Sequence, residues 1–141
     1  MHHPGAAAVV PFVSEHQVLL VRQYRHPVRS ELWEIPAGKL ESGEKPLTCA
    51  QRELREETGF VADHWIEAGA FFTSPGFSDE RITLFFAATL RPAGRPIGDE
   101  IAEHRAFSLD EVERMIEAGE ITDAKTILAI ARHLARVRRP G

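Results

Sequence analysis

Apolar positions in the first third of the chain follow the short, alternating pattern of β-strands. Residues 6–13 and 17–24 form two such runs, joined by a polar turn at residues 14–16. Pro11 indicates that the first strand either lies at a sheet edge or is irregular at that point. A third, shorter strand is predicted at residues 32–36. The chain therefore starts as a β-rich segment.

Strand-like runs return in the second half of the chain, separated by loops rich in Pro, Gly and Ser. The loops are residues 74–80 and 91–99. The predicted strands are residues 65–72, 81–90 and 103–107, and the run RITLFFAATL at 81–90 is the strongest of them.

Three segments carry helical signals. Pro46 suits the first turn of a helix and Gly59 suits its end, so one helix is predicted between them, with Leu47 and Leu54 along its buried edge. Ser108 and Glu111 form a capping box for a second helix that runs to about residue 118. A last helix is predicted to start near residue 123, because the apolar residues at 127, 128, 131, 134 and 137 recur at helical spacing. This order predicts one mixed α/β domain over residues 1–141.

Composition excludes several classes of protein. The chain is 43% hydrophobic and 27% charged, as in ordinary globular domains. A net charge of −4 offers no basic excess for a nucleic-acid partner. The single cysteine, Cys49, rules out an internal disulfide and fits a reducing compartment. No apolar run approaches the roughly 18 residues of a membrane span. We therefore expect a cytoplasmic protein with neither a membrane nor a nucleic acid as its partner.

The helix predicted between Pro46 and Gly59 concentrates acidic side chains on one side. Glu53, Glu56 and Glu57 fall on an arc of roughly 100° of a helical wheel. Like charges at this spacing repel unless a cation lies between them. A divalent ion such as Mg²⁺, bound through carboxylates and substrate phosphates, would supply that cation. The alternative is a solvated acidic helix face.

The surrounding stretch favours the metal site. Gly38 is followed after five residues by Glu44, and after seven more by RELREETGF at residues 52–60. Residues 38–60 thus resemble the Nudix box. The resemblance implies a Mg²⁺- or Mn²⁺-dependent hydrolase of nucleoside-linked diphosphates, built as a mixed β-sheet sandwiched between α-helices. It also implies that Arg52 orients a box glutamate such as Glu44. The implied metal ligands are Glu53 and Glu57, with help from Glu56, and the backbone carbonyl of Ala37.

Segments outside the box are similar to the ADP-ribose pyrophosphatase branch of that family. They are residues 21–25, 31–38, 74–80 and 119–126, and Pro75 stands sixteen residues after Gly59 as that branch requires. The likeness implies hydrolysis of ADP-ribose or a related NDP-sugar to AMP and a sugar phosphate, which for ADP-ribose is ribose 5-phosphate. Arg25 would contact phosphate, which its forked donors suit. Glu80 would bind a ribose hydroxyl or assist the metal. Gly38, Pro75 and the loop residue Phe77 complete the predicted substrate site, with Phe77 as a candidate to stack on the base.

The general base is predicted in the loop after the long strand, as in that branch. Glu100 and Glu103 are the candidates. We favour Glu100 because Glu103 already begins a predicted strand, and a glutamate of the box remains a third alternative.

The branch usually carries additional N-terminal strands that exchange between subunits and clamp the adenine. This sequence begins at residues 1–5, where those strands would have ended. A strand-swapped dimer and the adenine clamp are therefore not assumed, a homodimer stays open, and other NDP-sugars enter the expected substrate range. Two alternatives remain: a Nudix hydrolase of another nucleoside diphosphate derivative or a nucleoside triphosphate, and a non-catalytic domain that binds nucleotide sugars.

Overall fold

The computed structural model describes residues 3–98 and 101–139. Within these residues the strands are β1 (Ala6–Ser14), β2 (Gln17–Arg25), β3 (Ser30–Glu34), β4 (Ala37–Lys39), β5 (Phe60–Phe72), β6 (Arg81–Pro92) and β7 (Ile101–Ser108). The α-helices are α1 (Pro46–Thr58), α2 (Leu109–Glu117) and α3 (Ala124–Val137), and a 3-10 turn spans His26–Val28. No helix in the described part of the chain is long and apolar enough to cross a membrane.

Strand β1 is the centre of the sheet. It runs antiparallel to β2 and β4 and parallel to β6, in the order β3-β2-β1-β6-β5, with β7 on β2. Pro11 pairs with Ala87 of β6, so the prediction that this strand lies at an edge is wrong. The predicted irregularity is present instead, because the register with β2 shifts between Phe12 and Ser14.

Two other boundaries differ from the predicted ones. Strand β5 starts at Phe60, not at residue 65, because Gly59 adopts a positive φ of 78° and ends α1 in a tight turn that leads directly into the strand. The segment predicted as one strand at 32–36 is divided, since β3 ends at Glu34 and β4 begins at Ala37. Between them, the carbonyl of Pro36 accepts a hydrogen bond from Val9 N–H at 3.0 Å.

Alternating side chains of β1 supply two hydrophobic cores, one on each face of the sheet. Ala8 and Val10 belong to the core that α2 and α3 cover. Ala7 and Val9 belong to the core that α1 covers. The predicted mixed α/β architecture with helices on both sides of a mixed sheet is confirmed.

The buried face of α1 is built differently from the predicted one. Leu54 is fully buried, as expected, but the side chain of Leu47 is 40% exposed. Cys49 and Ala50 contribute the remaining buried contacts of the helix. On the helical wheel Glu53 and Glu57 fall between Cys49 and Leu54, so both glutamates lie along this buried face.

Candidate active site

A cavity of about 700 Å³ lies where the start of β1, the end of β2, β4, α1 and the first turn of α3 meet. It brings together seven residues predicted from the sequence: Arg25, Ala37, Gly38, Arg52, Glu53, Glu57 and Glu80. Further polar groups of the lining are Gln23, Lys39, Glu41, Thr73, Asp123 and Lys125. Residues separated by more than 100 positions thus share one concave surface.

Helix α1 presents its carboxylates from a firmly anchored base. Pro46 occupies the first turn, and the N–H of Gly59 closes the last turn on the carbonyl of Arg55 at 2.9 Å. Thr58 donates its hydroxyl to the carbonyl of Leu54 at 2.7 Å. With Pro46 in its first turn, Gly59 closing its last turn and Leu54 in the core, the helix holds its polar side chains in a defined direction.

Glu53 and Glu57 face each other one helical turn apart. Burial, followed by a hydrogen bond with Glu53 and the charge of Glu53, raises the pKa of Glu57 to about 10. A hydrogen bond with the backbone of Ala37 and the charge of Lys125 act in the opposite direction. Two carboxylates placed this closely share a proton unless a cation lies between them.

Gly38 makes this arrangement sterically possible. A β-carbon built on Gly38 would overlap with the carboxylate of Glu53. The backbone of β4 therefore packs directly against one carboxylate through Gly38, while Ala37 contacts the other.

Arg52 holds the acidic residues of the box in place. It donates to both carboxylate oxygens of Glu44 at 2.9 Å and to Glu53 Oε1 at 2.7 Å. Its hydrogen bond with Glu44 is the main reason that the pKa of Arg52 is raised, and in turn lowers the pKa of Glu44 to about 2. The predicted pairing of Arg52 with Glu44 is thus present. Arg52 also fixes one carboxylate oxygen of Glu53.

Glu56 occupies a different position from the other two box glutamates. Its side chain is 37% exposed, and Oε2 accepts from Arg52 Nη1 at 3.3 Å. It is not among the described residues that line the cavity. Within the two described ranges, no group of three or more acidic, His or Cys side chains is arranged to hold a metal.

The remaining pair still fits a divalent cation. Mg²⁺ commonly binds through one or two carboxylates and completes its shell with water and substrate phosphates. Glu53 and Glu57 supply two such carboxylates. Because burial and the neighbouring charge of Glu53 raise the pKa of Glu57, a positive charge between the two carboxylates would be favourable, and the backbone of Ala37 lies beside them.

A second charged group lies on the other side of the cavity, around Glu34. This carboxylate is 1% exposed and ends β3. Arg25 donates to it from Nε at 2.8 Å and from Nη2 at 2.7 Å, and Lys125 donates from Nζ at 2.6 Å. Burial alone would raise the pKa of Glu34, but the hydrogen bonds from Arg25 and Lys125 outweigh burial and lower it. Glu34 is therefore a buried, ionised carboxylate.

Sequence reasoning did not identify Glu34 or Lys125 as members of the site. They are 91 positions apart, and neither has a local pattern that predicts their contact. The only available signal was that both lie inside segments similar to the ADP-ribose pyrophosphatase branch, 31–38 and 119–126.

Loop 74–80 contributes one of its three predicted residues to the cavity. Glu80 lines it, accepts a hydrogen bond from the hydroxyl of Thr73, and lies 3.1 Å from Nε2 of His3 through Oε2. Pro75 is exposed, and Phe77 is 80% exposed. Neither belongs to the lining formed by the described residues.

The structure describes only one of the two candidate bases, Glu103. Glu100 lies outside the described residues. Glu103 accepts from Arg22 Nη2 at 2.8 Å across the β2–β7 pair. The pairing is irregular between Arg22 and Gln23, and the next pair, Gln23 with Ile101, lines the cavity, whereas Arg22 and Glu103 are not among the described residues of its lining. The structure thus does not bring Glu103 together with Glu53 and Glu57.

Cys49 is a packing residue. It is fully buried, and Sγ lies 3.4 Å from the carbonyl oxygen of Gly38. Burial, and then the charge of Glu44, raise the pKa of this thiol to about 12. The side chain joins α1 to β4 just behind the two carboxylates.

Comparison with known proteins agrees with this geometry. The sequence model of the NUDIX domain matches residues 1–130. The chain is 42% identical over 131 residues to the ADP-ribose pyrophosphatase of Bacillus subtilis (strain 168), which covers 91% of this chain and 71% of that protein. It is 41% identical over 133 residues to the methanol dehydrogenase activator of Bacillus methanolicus, covering 92% and 72% respectively.

The fold has a counterpart among solved structures. A crystal structure of an ADP compounds hydrolase superposes with a TM-score of 0.84 over 95% of this chain and 72% of that one, at 23% sequence identity. The superposition establishes the shared fold, and the sequence matches establish the kinship. The chain therefore belongs to the Nudix family and is a Nudix hydrolase similar to ADP-ribose pyrophosphatases.

Proposed function

We propose that the protein hydrolyses the diphosphate bond of ADP-ribose or a related NDP-sugar, giving AMP and a sugar phosphate, in a reaction that requires a divalent metal ion. One observation carries the proposal: a carboxylate pair, Glu53 and Glu57, and two cations, Arg25 and Lys125, line the same cavity. A diphosphate that bridges a metal ion and fixed cations would satisfy both groups at once.

Glu53, Glu57 and the carbonyl of Ala37 are the residues that would hold Mg²⁺ or Mn²⁺, with Glu56 in a supporting role. Such an ion supplies charge neutralisation for the diphosphate and lowers the pKa of water. The protein's own contribution is orientation. Arg52 holds Glu53 and Glu44 in place, and the absent β-carbon of Gly38 leaves room for the carboxylate.

The substrate would extend from this pair towards β2 and α3. Arg25 would contact a phosphate, since its guanidinium lines the cavity and is 43% exposed. Glu80 would accept from a ribose hydroxyl. Phe77, 80% exposed on the adjoining loop, would stack on a base that reaches beyond the cavity.

A general base would complete the reaction by taking a proton from the attacking water. We keep Glu100 as the preferred base, because Glu103 forms an ion pair with Arg22 and does not line the cavity. Comparing Glu100→Gln with Glu103→Gln tests the choice: the loss of kcat should be confined to the Glu100 variant.

The alternative is a Nudix hydrolase that acts on another nucleotide. A specific observation keeps it open: a relative of almost equal similarity, at 41% identity, is named as an activator of methanol dehydrogenase and not as an ADP-ribose pyrophosphatase. Identity at this level therefore supports the family more strongly than it supports one substrate.

A product assay tests the proposal directly. The full chain is incubated with ADP-ribose, ADP-glucose, a dinucleoside polyphosphate and a nucleoside triphosphate, each with Mg²⁺ and with EDTA. We expect AMP and sugar phosphate from the two ADP-sugars with Mg²⁺ only, and ¹⁸O-labelled water identifies the phosphate attacked. Turnover confined to the triphosphate or the dinucleotide, or equal turnover in EDTA, would refute the proposal.

A further inference from the structure

We propose that Glu34 is a positioning residue for this reaction: a carboxylate buried beneath the cavity that holds Arg25 and Lys125 together as one receptor for the substrate's phosphate groups. The inference rests on the proposed function and adds to it a residue that does not itself touch substrate. Its basis is the set of contacts that converge on Glu34.

The cations are shared in a way that leaves hydrogen-bond donors available. Glu34 takes two N–H groups of Arg25 and one of Lys125. A guanidinium carries five donors and an ammonium three. Lys125 also donates to both carboxylate oxygens of Asp123, at 3.2 Å and 3.1 Å, so its three donors have partners. The outer N–H groups of Arg25 have no hydrogen-bond partner among the described residues. Both side chains line the cavity, so the unused donors of Arg25 and the charge of Lys125 are available to an anion.

The position of Lys125 is fixed from both sides along the chain. Asp123 caps α3 by accepting from Thr126 N–H at 3.2 Å and from its hydroxyl at 2.6 Å. Thr126 Oγ1 in turn accepts from Ile35 N–H at 2.9 Å, directly after Glu34. The first turn of α3 is therefore tied to the end of β3, which holds the backbone of Lys125 next to Glu34.

The same short segment also reaches the metal side of the cavity. Ala37 and Gly38, three and four residues after Glu34, contact Glu57 and Glu53. One backbone stretch thus sets the separation between the cations and the carboxylate pair. The charge of Lys125 acts on Glu57, and the charge of Glu57 acts on Arg25, so the two groups lie within electrostatic reach of each other.

A purely structural role would produce a different result from a positioning role. A buried ion pair is weak evidence for stability, because apolar residues of similar volume often replace it at no cost. Removal of the negative charge would by itself strengthen anion binding, since Arg25 and Lys125 would lose their counter-charge. Loss of positioning would weaken anion binding, because both side chains would regain rotamer freedom. The sign of the change therefore separates the two roles.

The test is Glu34→Gln in the full chain with Mg²⁺, measured as kcat and KM for ADP-ribose and as the inhibition constant of inorganic pyrophosphate. We expect KM and the inhibition constant to rise together by about tenfold or more, with kcat changed less than about threefold. The matched control is Glu31→Gln, which removes the same charge from the same strand, where Glu31 lies 3.7 Å from Arg22. It should leave both constants unchanged.

Two results would overturn the inference. One is that Glu34→Gln binds ADP-ribose and pyrophosphate as tightly as the wild type or more tightly. The other is that Glu34→Gln has a lower melting temperature while its folded fraction keeps the wild-type KM and inhibition constant. If Glu34→Gln does not fold, Glu34→Asp keeps the charge but withdraws it by one methylene and should weaken binding in the same way. If the wild-type chain does not hydrolyse ADP-ribose, the proposed function fails separately. Calorimetric binding of pyrophosphate to wild type and to Glu34→Gln then decides the role of Glu34: weaker binding by the variant supports positioning, and equal or tighter binding contradicts it.

Discussion

The backbone of Gly38 on β4 and the carboxylate of Glu53 on α1 occupy neighbouring space that a single additional carbon would fill. Arg52 holds the same carboxylate from the other side through Oε1 at 2.7 Å. These two contacts orient Glu53 towards the cavity and Glu57. Gly38 is therefore required for the close approach of the Glu53 side chain and not for a turn.

Gly38→Ala should displace Glu53 and lower activity while the fold persists. The new β-carbon cannot coexist with the carboxylate, so Glu53 has to rotate away from Glu57. We expect a loss of kcat/KM of at least about tenfold, comparable to mutation of a residue that orients a metal ligand. The control is Gly76→Ala, where an added β-carbon meets no atom within 4 Å. Native activity in Gly38→Ala would contradict the assigned position of Glu53.

Glu57→Gln should remove most activity without unfolding the chain. Glutamine has the same shape, can still hydrogen-bond Glu53 and relieves the repulsion between the two carboxylates. Mutations of groups that merely orient ligands cost about 10–100-fold, so removal of a ligand should cost at least about 100-fold in kcat.

Melting curves of Glu57→Gln provide a second measurement. Addition of Mg²⁺ should raise the melting temperature of the wild type, because a ligand stabilises the state that binds it, but not that of the variant. Glu56→Gln should lose less activity and keep the Mg²⁺ effect, since Glu56 faces Arg52 at the rim. An equal Mg²⁺ effect in wild type and Glu57→Gln would exclude Glu57 as a ligand.

His133 should make the stability of the fold depend on pH. Its ring lies 4.7 Å from the ring of Phe12 and 5.7 Å from that of Phe86, and burial lowers its pKa below the ordinary value of 6.5. Arg136, over Phe86, adds a further positive charge nearby. The unfolded chain therefore binds the proton more tightly than the folded chain. The stability that neutral His133 contributes is fully present above about pH 6.5 and is lost as the pH falls through the folded-state pKa.

The variant His133→Phe isolates this contribution. Phenylalanine fits an aromatic cluster and does not titrate. Between pH 8 and pH 5 the melting temperature of the wild type should fall several degrees further than that of the variant. Parallel curves for the two proteins would show that His133 does not titrate differently on folding.

Cys49 should resist alkylation as long as the protein is folded. Its pKa of about 12 leaves at pH 8 a thiolate fraction that is roughly three orders of magnitude below that of an ordinary thiol, and the side chain has no exposed surface. Iodoacetamide followed by mass spectrometry should label it only after unfolding in guanidinium. Rapid labelling of the native protein would show that α1 opens away from β4.

Features that depend on near neighbours in the chain were predictable from the sequence. The ends of α1 follow from Pro46 and Gly59, and the starts of α2 and α3 follow from the side-chain caps Ser108 and Asp123. The spacing of Glu53 and Glu57 places them on one side of a helix before any tertiary contact exists. The same local rules were insufficient for Leu47, whose exposure depends on how α1 is seated on the sheet.

Relationships between distant segments were decided only by the tertiary structure. Pro11 predicted either an edge strand or a local irregularity. The irregularity is present, but β1 is the central strand, because its pairing with β2, β4 and β6 is a property of the whole sheet. Glu34 meets Lys125 across 91 residues of chain because β3 and the first turn of α3 end at the same place. Periodicity and capping depend on atoms a few residues apart, so the sequence by itself determined the helices, most of the strands and the acidic pair. The cations opposite that pair, and the buried carboxylate that holds them, depend on how the elements pack.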